Sequence, residues 1–144
     1  MNECIFCRIV EGSVSSFEVY EDEKVLAFLD IYPSAPGHTL LIPKAHVGLV
    51  EDMGDSDAFA LFKVLPKIVA AIQVALGVSA STIGINNGYQ AGQEIPHVHI
   101  HIIPRKTRSQ GGIIQTIVQR ERPVKEEFQG IAEKIKIELE SMLC

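Results

Sequence analysis

The chain has 144 residues, enough for one compact domain and little more. Hydrophobic residues make up 47% and charged residues 22%, which supplies a core and excludes an intrinsically disordered tail. The net charge of −5 argues against a broad electrostatic grip on DNA or RNA and leaves room for a nucleotide in a local site. Three cysteines, an odd number, argue against a disulfide framework, and Cys144 needs no role. The start Met1-Asn2-Glu3-Cys4 lacks the basic-then-apolar order of a secretory signal. Apolar runs such as residues 68–72 fall far short of the ~20 residues that cross a bilayer. The expectation is a soluble cytoplasmic protein that engages neither nucleic acid nor membrane.

In chain order, Phe17 to Glu21 alternates as a strand, Asp22-Glu23-Lys24 makes a polar turn, and Val25 to Asp30 returns as the second strand of a hairpin. Pro33, Pro36 and Gly37 punctuate a loop, and Thr39 to Pro43 is a short buried strand stopped by proline. A helix follows, with Asp55 as N-cap, Asp57 in its first turn and Gly77 at C′. Phe59, Phe62, Leu65, Val69, Ile72 and Leu76 recur at three- and four-residue steps and mark its buried face. Pro66 lies inside that pattern and should kink or divide the helix. Leu61 and Val64 fall off the stripe, a surplus for a partner subunit or for the C-terminal helix to cover. Ser81 to Asn86 reads as a strand, Asn86-Asn87-Gly88 as a turn, and Val98 to Ile103 as the last central strand. From Pro123, residues Phe128, Ile131, Ile135, Leu139 and Met142 mark a C-terminal helix. Hairpin-like links around a helix favour an α+β fold with an antiparallel sheet.

The segment from His97 to Ile103 carries the chemistry: His97, His99 and His101 alternate with Val98, Ile100 and Ile102. In a strand, residues two apart share a face at a spacing of ~6.5–7 Å. The aliphatics therefore enter the core and three imidazoles line the other face. Such a row offers a nucleophile, an acid and a ligand within reach of one small anion. A surface strand that happens to carry histidines, or a tag-like metal tract, is the plainer reading, and strict threefold alternation disfavours it. The chain has no P-loop, and Gly84, Gly88 and Gly92 form no dinucleotide fingerprint, so phosphate handling rests on the histidines.

These residues resemble the histidine-triad (HIT) family, whose signature is His-x-His-x-His followed by two apolar positions. The likeness continues through Gly92 to Pro96, Ile5 to Val10, Phe28 to Ile31, Ala35 to Leu40, Ile42-Pro43-Lys44 and Asn86-Asn87-Gly88. It spans about residues 4–105 and points to the Hint branch of nucleotide phosphoramidate hydrolases. The resemblance implies a single HIT domain over 1–144, with an extension at 106–144 and a helix from about 123. Its sheet would have about five antiparallel strands, with a central and a C-terminal helix. It also implies a homodimer that pairs through the central helix and an edge strand.

By resemblance, His99 is the nucleophile that attacks the α-phosphorus of a purine nucleotide such as AMP or GMP, through a nucleotidyl-histidine intermediate. His101 then assists the leaving group and His38 orients the triad from behind. Asp30 accepts the ribose hydroxyls, Phe6, Phe28 and Ile31 wall the base, and Asn86 and Gln93 contact the phosphate. Arg105, the nearest cation, stands beyond Pro104. The likeness departs at Glu94, where many Hint proteins carry serine; a backbone N–H remains there. No metal is expected in the chemical step. Two rivals share these residues: a nucleotide-binding regulatory module with incidental hydrolysis, and a nucleotidyltransferase.

Cys4-x-x-Cys7 is half of a tetrahedral sulfur site. Some bacterial HIT proteins complete such a pair with two histidines, including the first of the triad. The resemblance thus implies a structural zinc on Cys4, Cys7, His46 and His97. Two reduced thiols without metal are the alternative.

Overall fold

The structure, a computed structural model, describes residues 3–143. Cys144 lies outside the described residues. The chain divides into two compact units, one running to Gly111 and the other beginning at Gly112.

The first unit holds a helix α1 (Ile5–Val10), a hairpin β1 (Glu18–Glu21) and β2 (Val25–Leu29), and β3 (Thr39–Pro43). A long helix α2 (Asp55–Leu76) follows, then β4 (Ala80–Gly84) and β5 (Ile100–Arg105). The five strands form one antiparallel sheet in the order β1-β2-β3-β5-β4. Strand alternation sorts the side chains into two cores. Val25, Ala27, Leu41, Val98, Ile100 and Ile102 meet Leu61, Val64, Ile68 and Ile72 of α2. On the opposite face Leu26, Phe28, Leu40 and Ile42 meet Cys4, Phe6, Cys7 and Ile9 of α1. With both faces covered, β2 and β3 are buried along almost their whole length.

Helix α2 corrects the sequence reading in three respects. Its N-cap is Gly54, and Asp55 is the first helical residue, so both Asp55 and Asp57 act on the helix dipole from the first turn. Its buried stripe is Leu61, Val64, Ile68 and Ile72, each worth about 2 kcal/mol on burial. Phe59, Phe62 and Leu76, expected inside, are exposed, and Leu65 and Val69 are only partly buried. Pro66 does not divide the helix. It sits on the exposed side, where water can satisfy the Phe62 carbonyl that loses its donor. Gly77 closes the helix at φ +64°, donating to Val74 O while Val78 N–H bonds Gln73 O. By length and composition α2 would suffice to cross a bilayer, which the search for unbroken apolar runs overlooked. In this fold its inner stripe packs on the sheet.

In the second unit, α3 runs Glu127–Leu143, starting four residues after Pro123. It buries none of its own apolar side chains.

Candidate active site and metal centre

Sheet order sets the site. His101, the second residue of β5, lies between Leu40 of β3 and Gly84 of β4. Asp30 lies just past the end of β2, on the β3 side, and Asn86 just past the end of β4, on the other. His97 and His99 precede β5, and the alternation persists there, with Val98 in the α2 core and His97 beside Cys4 and Cys7 on the opposite face. Val98, Ile100 and Ile102 enter the α2 core, as period two requires.

The loop from residue 30 to 38 is closed by Asp30 N–H on His38 O at 2.9 Å. Gly37, at φ +86°, makes the turn into His38; a Cβ there would collide with Leu76. The imidazoles are then ordered by their partners, which assign the tautomers. Ser34 N–H donates to His38 Nδ1 at 3.0 Å, so His38 carries its hydrogen on Nε2. That atom stands 2.9 Å from His101 Nδ1 and 3.6 Å from Asp30 Oδ2, and the shorter contact takes the hydrogen. His101 is thereby left with its own hydrogen on Nε2, a buried atom with no partner among the described residues. His99 lies 2.6 Å from His97 O through Nδ1, which places the hydrogen there and the lone pair on Nε2.

Burial lowers the pKa of His38, against an opposing pull from Asp30. Burial, then the neighbouring His99 and His38, lower that of His101 to about 4. Both rings are therefore neutral at pH 7, and His38 with Asp30 is not an ion pair. The sign for stability follows. Below the ordinary imidazole pKa of 6.5 the unfolded chain takes up protons that these two folded rings refuse, so their contribution is whole above pH 6.5 and declines toward pH 4. The urea midpoint is expected to fall between pH 7 and pH 5, and His101→Gln to flatten that slope. An unchanged slope in the variant would assign the acid sensitivity elsewhere.

A cavity of about 470 Å³ opens beside the triad. Ile5, Phe6 and Ile9 of α1 and Phe28 wall its apolar part; Asp30, Ile31, Asn86, Glu94, His99 and His101 also line it. Phe6 is the pivot, edge-on to Phe28, His97 and His99 at centroid distances of 5.5, 5.8 and 5.1 Å. One expected contributor, Gln93, stands outside, and so does Arg105, which its place beyond Pro104 had set aside. Gln93 is occupied by the loop backbone: Gly88 N–H donates to its Oε1, and its Nε2 donates to Gly48 O and Ile95 O. Arg105 reaches Thr82 Oγ1 and Gly111 O, both at 2.9 Å. Ile5, Ile9, Ser34 and Tyr32 were missed. The i, i+4 pair Ile5 and Ile9, the first inside the Cys-x-x-Cys and the second just after it, was the one available signal. A larger groove, about 830 Å³ between α2 and the β1–β2 turn, contains no triad residue.

Behind Phe6 lies the second constellation. Cys4 Sγ stands 3.5 Å from His97 Nδ1, and Cys7 Sγ 3.6 Å from the same atom and 3.2 Å from His46 Nδ1. All four donor atoms lie within 4.8 Å of one another. Tetrahedral Zn–S and Zn–N bonds would separate sulfur from nitrogen by about 3.5 Å, so the residues fit a metal of that kind. His97 is already oriented for the role, its Nε2–H donating to Pro43 O at 2.8 Å and its Nδ1 facing the sulfurs.

A family model described as HIT domain matches residues 11–108. The chain belongs to the HIT family. A crystal structure of a HIT family member from Bacillus subtilis superposes with a TM-score of 0.84 at 40% identity, covering 94% of this chain and 96% of that one. An adenosine 5′-monophosphoramidase of Saccharomyces cerevisiae is 39% identical over 114 residues, 77% of this chain and 68% of the relative. An adenylylsulfatase of Arabidopsis thaliana is 43% identical over 107 residues, 74% of this chain and 54% of the relative.

Proposed function

We propose that this HIT protein is a nucleotide hydrolase that cleaves purine nucleoside 5′-phosphoramidates or related esters at the α-phosphorus, with His99 as the attacking group. One observation carries the reading: a nucleoside-sized cavity holds both Asp30 and a His99 whose Nδ1 is tied to His97 O. Nε2 of a neutral imidazole so held is a nucleophile at pH 7. It forms a bond to phosphorus as the bond from phosphorus to the leaving atom breaks with its electron pair. His101 Nε2–H, without a partner among the described residues, is the donor left for an oxygen or nitrogen at phosphorus. Water then cleaves the nucleotidyl-histidine. In balance, the nucleotide gains the hydroxyl and the departing amine gains the hydrogen.

The second constellation supports a structural zinc held by Cys4, Cys7, His46 and His97. It would pin α1 and with it the Phe6 wall, and it takes no part in the chemical step.

The test is turnover of adenosine 5′-phosphoramidate without added Mg²⁺. A binding module would hold AMP and leave this amide intact. Asp30→Ala is expected to raise KM by about 10- to 100-fold, the worth of a charge-assisted hydrogen bond, with a smaller fall in kcat. Because Asp30 also faces His38, the 2′-deoxy substrate is the cleaner probe, and on the unmodified protein it should show a KM penalty of similar size. Equal KM for ribo- and deoxyribonucleotide would refute the Asp30 role.

A further inference from the structure

The relatives carry names for two different leaving groups, an amine and a sulfate, which differ in charge. Asp30 and Glu94 are the carboxylates among the described residues that line the cavity, and none of those residues is lysine or arginine. Asp30 already accepts Tyr32 N–H at 2.9 Å and faces His38. Glu94 is exposed and makes no hydrogen bond or ion pair among the described residues. His101, held near a pKa of 4, adds no positive charge at pH 7.

Strand order sets Asp30 and Asn86 apart across the cavity. Asp30 is on the β3 side of His101 and Asn86 follows β4 on the other, while Gly92 and Glu94 line the cavity from the loop that continues from Asn86. With the ribose on Asp30 and phosphorus at His99, the group bonded to phosphorus faces the loop from Asn86 to Glu94.

We propose that Glu94 forms a leaving-group subsite that selects amines bearing a positive charge and rejects anionic leaving groups. The inference rests on the hydrolase reading above, and the chemistry concerned is P–N cleavage: the departing nitrogen takes the bonding pair and one water hydrogen. A carboxylate lining the leaving-group side of the cavity attracts an ammonium on the departing amine and repels a carboxylate or sulfate.

An isosteric series of adenosine 5′-phosphoramidates tests it: 1,4-diaminobutane (cationic), butylamine (neutral) and 4-aminobutanoate (anionic). For the unmodified protein, kcat/KM for the cationic amide is expected to exceed that for the anionic one by about tenfold at low salt, and the ratio to shrink at high salt. Glu94→Gln should bring the ratio near one, and Glu94→Lys should invert it. Since the exposed Glu94 side chain makes no hydrogen bond or ion pair among the described residues, both variants should keep the parent melting temperature. Turnover of all three amides at equal kcat/KM, or a preference that survives in Glu94→Gln, would overturn the subsite and leave the hydrolase reading standing. No turnover of any amide would overturn both.

Discussion

His99→Ala is expected to lower kcat on adenosine 5′-phosphoramidate by about 10⁴-fold or more, with AMP affinity changed little. The size follows from the placement of the ring. Its Nδ1 is committed to His97 O at 2.6 Å, so one nitrogen alone is available to attack. Neither neighbour can substitute. His101 Nδ1 is engaged by His38, and His97 is turned away, one nitrogen on Pro43 O and the other beside the sulfurs of Cys4 and Cys7. Affinity survives because Phe6, though it loses its edge contact with His99, keeps those with Phe28 and His97, and Asp30 keeps its place at the end of β2. Rapid mixing of the parent protein with substrate should release the amine in a burst before AMP, and the variant should show none. A variant that retains turnover within tenfold of the parent would remove the histidine nucleophile and favour direct attack by water.

Much of this arrangement was legible in the sequence because strand periodicity is strict. A period of two sends Val98, Ile100 and Ile102 inward, and the structure places them in the α2 core. Helix α2 was less legible for a reason internal to helices. It carries two apolar stripes at helical spacing, one through Phe59 and Phe62 and one through Leu61, Val64, Ile68 and Ile72. Periodicity reports that a stripe exists; it does not report which stripe the sheet accepts. The larger aromatic side chains favoured the wrong one. Gln93 failed for another reason. Its amide is saturated by Gly48, Gly88 and Ile95, partners that loop closure assembles and spacing does not reveal. The Ser34–His38–His101 relay is equally hidden, since a backbone N–H at Ser34 sets the tautomer of a ring 4 residues away.

Cys7→Ser is expected to remove bound zinc and lower the melting temperature by about 10 °C, on a loss of about 3 kcal/mol from a site whose occupancy is coupled to folding. Cys7 is the sharper test of the two cysteines, because its sulfur faces both His46 and His97 at 3.2 and 3.6 Å. Its helix serves two sites. Cys4 at its N-cap and Cys7 face His97 and His46, while Ile5, Phe6 and Ile9 of the same helix line the cavity beside His99. At six residues α1 is too short to hold itself as a helix, so its position depends on what it packs against and on what its cysteines bind. Loosening it should therefore cost ligand affinity as well as stability. The variant is expected to raise KM for the phosphoramidate while the amine burst on His99 persists at saturating substrate, the opposite of His99→Ala. His97→Ala should follow the cysteine variant in metal content and melting temperature, and should in addition disturb the burst through the carbonyl that holds His99. Elemental analysis of chelator-free preparations should give about one zinc per chain. Metal-free protein with an unchanged melting temperature after Cys7→Ser would reduce the four residues to two thiols and two imidazoles packed behind Phe6.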